Sequence, residues 1–378
     1  MKFGSKLIHN GHEIDKTTGA LSIPIYQAST YSQDVFTPQE FDYSRSGNPT
    51  RKALEETIAI LEGGKKGYAF ASGMAATSSA LSIFSAGDHI IVCEDVYGGT
   101  YRIATTFFQR FNLEVTFVDA SDLDNIKNNI KKNTRAIFLE TPSNPLLKIT
   151  DIKGAVKVAK GNGLLVLIDN TFMSPYLQRP LELGCDIVIH SATKFIGGHS
   201  DVVAGLVVVK DEVLAKRIYS VQNGFGAILG PQDSWLLLRG LKTLKVRVDY
   251  QQQNAIKLSD WLNRNPNVSR VYYPGLVGHP GREINKGQAD GPGAVLSFEA
   301  KDEETARRFM KKVKLAAVAV SLGGVETIVS YPVKMSHAAI PKDQRERLGI
   351  KDNLIRVSAG LEDSDDLIED FERALMEE

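Results

Sequence analysis

The chain has 378 residues, 43% hydrophobic and 24% charged, which is the composition of a globular protein large enough for more than one core. Lysine plus arginine equals aspartate plus glutamate at 45 each, so net charge gives no reason to expect nucleic acid or an anionic membrane as partner. The opening residues, MKFGSKLIHNGHEID, show neither the apolar run nor the cleavage pattern of a secretory signal, and no apolar run is long enough for a membrane span.

Residues 1–50 are polar, contain Gly and Pro, and lack periodicity; they predict an extended arm. RKALEETIAILEGG (51–64) has Leu54, Ile58 and Leu61 at helical spacing and Gly63-Gly64 as a stop. Short apolar runs follow, separated by helical stretches: GYAFA (67–71), HIIVCE (89–94), EVTFVD (114–119), RAIFLE (135–140), LLVLID (164–169) and DIVIH (186–190). Strand-sized β-branched runs alternating with helices predict an α/β fold with a mostly parallel sheet covered on both faces. The helical pieces include SALSIFSAG, TYRIATTFFQRF and DIKGAVKVAKGNG. Residues 233–266 read as one long helical region. VSRVYYPG, GAVLSFEA, a helix near 302–313, LAAVAVSLGG and a closing helix after Leu361 predict a smaller α+β domain. The expected organisation is an arm over 1–50, a large α/β domain over 51–240 and a C-terminal α+β domain over 241–378. Cys93 and Cys185 lie in or beside apolar strands, which predicts packing roles and a reducing, cytoplasmic setting.

In open parallel sheets, ligands bind beyond the carboxyl ends of the strands. Applied strand by strand, that rule gathers Ser72–Met74, Tyr97, Asn144, Asp169, Ser191, Thr193 and Lys194 on one rim. Lys194 stands out, because HSATKFIGGHSD (190–201) lies between two apolar runs. A buried ammonium is costly unless paired or neutral, and an amine nucleophile is one use that justifies it. An aspartate can keep a ring nitrogen protonated, an aromatic ring can stack on a flat cofactor, and hydroxyls at a helix start can hold a phosphate. Together these are the needs of pyridoxal phosphate. Taken singly, each residue has a plainer reading: a solvated lysine, an N-capping aspartate, a tight helix start, a core tyrosine. His190 and His199 flank the lysine without a metal-type ligand cluster, so a core or phosphate-neighbouring role is expected and no metal is assigned.

The chain resembles the pyridoxal-phosphate (PLP) enzymes of cysteine and methionine metabolism, the cystathionine synthases and lyases and methionine γ-lyase. The resemblance rests on YSRSGNPTR (43–51), ASGMAA (71–76), DVYGGTYR (95–102), ETPSNPLLKITDI (140–152), DNTF (169–172), HSATKFIGGHSDVVAG (190–205), SLGGVET (321–327) and LIRVSAGLED (354–363). It implies the aspartate-aminotransferase type of fold, with PLP bound by the 51–240 domain, and a homotetramer of two catalytic dimers. It also implies that Lys194 carries the cofactor covalently, Asp169 pairs with its ring nitrogen and Tyr97 stacks on the ring. Gly73, Met74, Ser191 and Thr193 would hold the phosphate, reached by Tyr43 and Arg45 from a neighbouring subunit. Asn144, Ser321 and Arg356 would surround the substrate, with Arg356 forking onto its α-carboxylate.

The members differ in the bond they break. Most bacterial γ-synthases and γ-lyases of this type resemble one another in carrying Glu immediately before the serine of SLGG; this chain has Val320 there. Methionine γ-lyases carry valine but also a cysteine two places after the stacking tyrosine, where this chain has Gly99. The block over 319–342 most resembles the cystathionine β-lyases of Gram-positive bacteria, which implies β-elimination of L-cystathionine to homocysteine, pyruvate and ammonia. The alternatives are γ-elimination, γ-replacement, methionine γ-lysis, or a silent binding protein of the same fold. A nicotinamide-linked dehydrogenase would need G-x-G-x-x-G after an early strand, and ASGMAATSS lacks that spacing.

Overall fold

The structure, a computed structural model, describes residues 1–9, 14–336, 338 and 342–376; residues 10–13 of the opening segment, and 337 and 339–341 of the 319–342 block, lie outside the described residues. Two compact units are present. One comprises Met1–Ser85 and Leu167–Lys245, the other Ala86–Val166 and Val246–Glu378. Among the described residues the strands, in chain order, are β1 (Lys66–Phe70), β2 (His89–Cys93), β3 (Glu114–Val118), β4 (Thr134–Glu140), β5 (Leu165–Asp169), β6 (Ile187–Ser191), β7 (Gly205–Val209), β8 (Val268–Tyr272), β9 (Val295–Ala300), β10 (Ala317–Val318), β11 (Ile328–Ser330) and β12 (Leu354–Ser358).

In the first unit the strand order is β1-β7-β6-β5. β5 and β6 are parallel, as the alternating pattern predicts, whereas β7 runs antiparallel to both β6 and β1. The reason lies in the connection. A parallel return needs a crossover, usually a helix, but residues 192–204 form turns and coil only. The chain therefore doubles back from β6 into β7, and that hairpin-like connection carries Lys194.

The Pro49–Glu62 helix begins where Asn48 Oδ1 accepts from the amides of Thr50 and Arg51, and ends at Gly63 with φ 69°. Pro at the first position and a left-handed glycine at the end are the expected punctuation. Its buried face carries Leu54, Ile58 and Leu61 against the sheet side of the unit. The polar arm holds a helix that periodicity missed, Phe3–His9. Another missed helix, Glu212–Phe225, is capped by Asp211 and closed by Gly226 at φ 69°.

In the second unit β4, β2 and β3 form an all-parallel set. A separate five-stranded sheet has the order β10-β11-β12-β9-β8. Its core contains Phe298, Phe309 and Phe371, stacked edge to face with centroids 5.4 and 5.0 Å apart. The expected helix over TYRIATTFFQRF is broken into an α turn at Gly98–Arg102, a π turn at Ile103–Phe107 and a 3-10 turn at Phe108–Phe111. Thr105 and Thr106 hydroxyls donate to the carbonyls of Tyr101 and Arg102 at 2.9 and 2.6 Å. Those bonds compete with the amide ladder and loosen it. The long helical region over 233–266 is two helices, Pro231–Lys242 and Leu244–Leu262, separated at Thr243. Among the described residues no helix is long and apolar enough to cross a membrane.

One close approach links the sheet to the Gly73–Leu81 helix within the first unit. A Cβ added to Gly205 at the start of β7 would lie 2.2 Å from the Ser72 carbonyl oxygen and 2.8 Å from Ala76 Cβ. Neither backbone can yield without moving the start of the Gly73–Leu81 helix. Gly205→Ala should therefore lower stability by about 1–3 kcal/mol, measured by denaturant unfolding; an unchanged midpoint would contradict this packing.

Candidate active site

The first unit assembles a phosphate-type cradle beside a lysine and a carboxylate. Ser72 caps the Gly73–Leu81 helix, its hydroxyl accepting from the Ala75 amide at 3.0 Å. The amides of a helix's first turn lack intrahelical partners and the helix dipole favours an anion there, so Gly73 and Met74 offer donors. Gly73 has no side chain because none fits: a Cβ would sit 2.8 Å from Ser191 Cβ. Ser191 thus closes the same cradle, and its own amide donates to Thr171 Oγ1 at 2.8 Å. The Thr193 hydroxyl accepts from the Ala204 amide at 3.0 Å and donates to the Ala204 carbonyl at 3.3 Å, pinning the two sides of the β6–β7 connection together.

Lys194 is half-buried in that connection. Its carbonyl accepts from the Gly198 amide at 2.8 Å, and the Gly197 amide donates to Ala192 at 2.8 Å. Gly240, in the Pro231–Lys242 helix, approaches so closely that a Cβ would lie 2.5 Å from the Gly197 carbonyl oxygen. The lysine backbone is therefore fixed from both sides.

Asp169 ends β5, and its carboxylate accepts from the Thr171 amide at 3.0 Å. Burial pushes its carboxyl above the usual range, while hydrogen bonds from Thr171 and the charges of His190 and Lys194 pull it back. Next to it lies a buried network that sequence reading missed. Glu62 Oε1 is 2.6 Å from His190 Nε2 and accepts from Asn170 Nδ2 at 3.2 Å. A signal for it was present: Glu62 falls four residues after Ile58, on the helix face that otherwise carries apolar residues. His190 thus has a core role. Tyr43 and Arg45 lie on the surface of this unit, Arg45 donating to the Asn223 carbonyl at 2.7 Å with its guanidinium 5.7 Å from the Tyr43 ring centre.

The second unit gathers the residues expected around a substrate. Arg356 lies in β12, only 4% exposed. Its Nη1 donates to Asn144 Oδ1 at 2.9 Å and its Nη2 to the Ser321 carbonyl at 2.6 Å. Ser321 has φ 90°, a rare conformation for a residue with a side chain. Arg356 Nε is buried with no hydrogen-bond partner among the described residues. Burial pushes the guanidinium down to about 10, with Glu140 and Tyr97 acting in the opposite direction. A buried arginine held by neutral oxygens, with its Nε donor unspent, suits an incoming carboxylate. Val320 is 67% exposed. Tyr97 follows β2 and is 45% exposed, and its amide donates to Glu140 Oε2 at 2.8 Å. Glu140, at the end of β4, was also missed by sequence reading, although a charge closing a buried strand is a recognisable signal.

Comparison with known proteins extends the resemblance over the whole length. The family model for Cys/Met metabolism PLP-dependent enzymes matches residues 4–376. The chain is 57% identical to cystathionine beta-lyase MetC of Bacillus subtilis (strain 168), covering 99% of this chain and 96% of that protein. It is 50% identical to the cystathionine gamma-lyase of the same organism, covering 99% of each. A crystal structure of cystathionine gamma-lyase from Lactobacillus plantarum complexed with L-serine superposes with a TM-score of 0.97 at 49% identity, covering 99% of this chain and 98% of that one.

Asp95 ties the Tyr97 loop to the Asn144 segment. It is buried, and burial raises its carboxyl to about 6 against a Ser143 hydrogen bond and the Lys148 charge. Its folded value exceeds its unfolded one, so its favourable contribution is complete below about pH 4 and is lost as pH rises towards 6. Asp95→Asn should therefore stabilise the fold by about 1–3 kcal/mol at pH 8 and little at pH 4, measured by urea unfolding at both values. A loss of stability at pH 8 would contradict the assigned burial cost.

Proposed function

This chain belongs to the Cys/Met metabolism PLP-dependent enzyme family, and we propose that it cleaves the Cβ–S bond of L-cystathionine, giving homocysteine and, with uptake of one water, pyruvate and ammonia. The residues present fit the cofactor. Asp169 is a buried carboxylate that a ring cation would satisfy, the Gly73 helix start takes an anion, and Lys194 supplies an amine. Bound PLP supplies an electron sink for the pair left when a proton leaves the substrate's α-carbon. Lys194 would hold the cofactor through its amine and act as the base for the substrate's α-proton. Asp169 would keep the ring nitrogen protonated, and Tyr97 would offer the ring a stacking face. Gly73, Met74, Ser191 and Thr193 would bind the phosphate.

Arg356 binds the substrate's α-carboxylate in a fork oriented by Asn144 and Ser321. With the carboxylate fixed, the α-proton can be presented to Lys194, and sulfur leaves Cβ with the bonding pair. The observation that carries β- over γ-cleavage is Val320. Beside Ser321, where most of the bacterial γ-acting enzymes that the chain resembles carry Glu, it offers no carboxylate. The 57% identity to a protein named cystathionine beta-lyase supports the same choice.

We further propose a cytoplasmic homotetramer in which Tyr43 and Arg45 serve a neighbouring subunit's phosphate site. Their exposure on the first unit supports this, because both are available to another chain.

Two measurements test the reading. Incubated with L-cystathionine, the enzyme should release pyruvate and homocysteine; 2-oxobutyrate and cysteine as main products would overturn β-cleavage. Lys194→Ala should still take up PLP but lose turnover by about 10²–10⁴-fold; near-normal turnover would contradict the role given to this amine.

A further inference from the structure

We propose that Glu62 is a positioning residue of the cofactor site, its side chain clamping the ends of β5 and β6 so that Asp169 and Ser191 keep a fixed spacing. The inference rests on the reading of those two residues as cofactor ligands. The last β5–β6 pair joins Asp169 to Ile189, and one further backbone bond, from the Asn170 amide to the Ile189 carbonyl at 2.9 Å, closes the ladder. Asn170 and His190 come next on the two chains, and one oxygen of Glu62 meets both. Its Oε1 accepts from Asn170 Nδ2 at 3.2 Å and lies 2.6 Å from His190 Nε2. Successive side chains along a strand point to opposite faces, so a tie on Asn170 and His190 fixes Asp169 and Ser191 from behind.

The clamp is costly enough to need a reason. Glu62 closes the Pro49–Glu62 helix, where the dipole disfavours an acid, and it is buried together with Asn170 and His190. Its Oε2 has no hydrogen-bond partner among the described residues, so Oε1 alone carries both ties. Two further bonds brace Asn170: its Nδ2 donates to the Gln178 carbonyl at 2.8 Å, and its Oδ1 accepts from Gln178 Nε2 at 3.0 Å. Thr171 makes the direct link between the two cofactor ligands. Its hydroxyl accepts from the Ser191 amide at 2.8 Å and its amide donates to Asp169 at 3.0 Å. Asp169 and Ser191 are thus joined once through Thr171 and a second time through Glu62. A side chain that bridges two partners with one oxygen depends on its length more than on its charge. Glu62 acts through Asn170 and His190 rather than by touching the cofactor.

The test follows release of PLP from holoenzyme after dilution, read as loss of the cofactor's visible absorbance. Glu62→Asp keeps the charge but is one methylene too short to bridge both partners, and should release PLP about fivefold faster or more. Glu62→Gln keeps the length and offers an oxygen to both, and should stay within about twofold of wild type. A role confined to stability would lower the unfolding midpoint of the variants and leave PLP release from the folded enzyme unchanged. Release at the wild-type rate by Glu62→Asp, or a Gln variant that behaves like Asp, overturns the proposal. Should Glu62→Asp not fold, Asn170→Ala cuts the tie to β5 and should also speed release; a wild-type rate there overturns the proposal equally. Ser191→Ala and Asp169→Asn separate the two claims. If both release PLP as wild type does, the reading of the cofactor site is itself wrong; if both speed release while Glu62→Asp is unchanged, only the role of Glu62 is wrong.

Discussion

Charge placed where water is scarce is the constraint on which the rest of this molecule depends. Asp169 sits at the end of a buried strand, its carboxyl raised by burial and restrained by Thr171, His190 and Lys194. Such a group is expensive to bury alone and favourable beside a cation. β5 and β6 run parallel and deliver Asp169 and Ser191 to one end, and the helix-free return into β7 displays Lys194. Close backbone contacts at Gly73, Gly205 and Gly240 leave those elements little freedom to shift.

The second unit solves a related problem differently. Its buried charge, Arg356, is positive and is oriented by uncharged oxygens, one of them on a residue in an unusual backbone conformation. Neutral acceptors fix geometry without consuming the charge.

Much of this was legible from residues alone, and the exceptions have physical causes. The strand runs fall within a residue or two of β1 to β6, because buried strands are continuous β-branched stretches. Their direction was not legible for β1 and β7, since VVAGLVVV reads the same whichever way it pairs. The helix start at Ser72 and the stop at Gly63 followed from local chemistry. Glu62 and Glu140 did not, because each gains meaning from partners far along the chain: His190 for the first, Tyr97 for the second. The π turn at Ile103–Phe107 depends on where two threonine hydroxyls point, which periodicity does not encode. β11, three residues long, is too short to announce a strand, and the run of β12 is interrupted by the charge of Arg356.

The linkage proposed between Lys194 and PLP is open to chemical trapping. Reducing the purified enzyme with borohydride, followed by proteolysis and mass spectrometry, should leave a phosphopyridoxyl group on the peptide bearing Lys194 and on no other lysine. A label distributed over surface lysines, or found elsewhere with Lys194 unmodified, would contradict the assignment of this amine and the chemistry built on it.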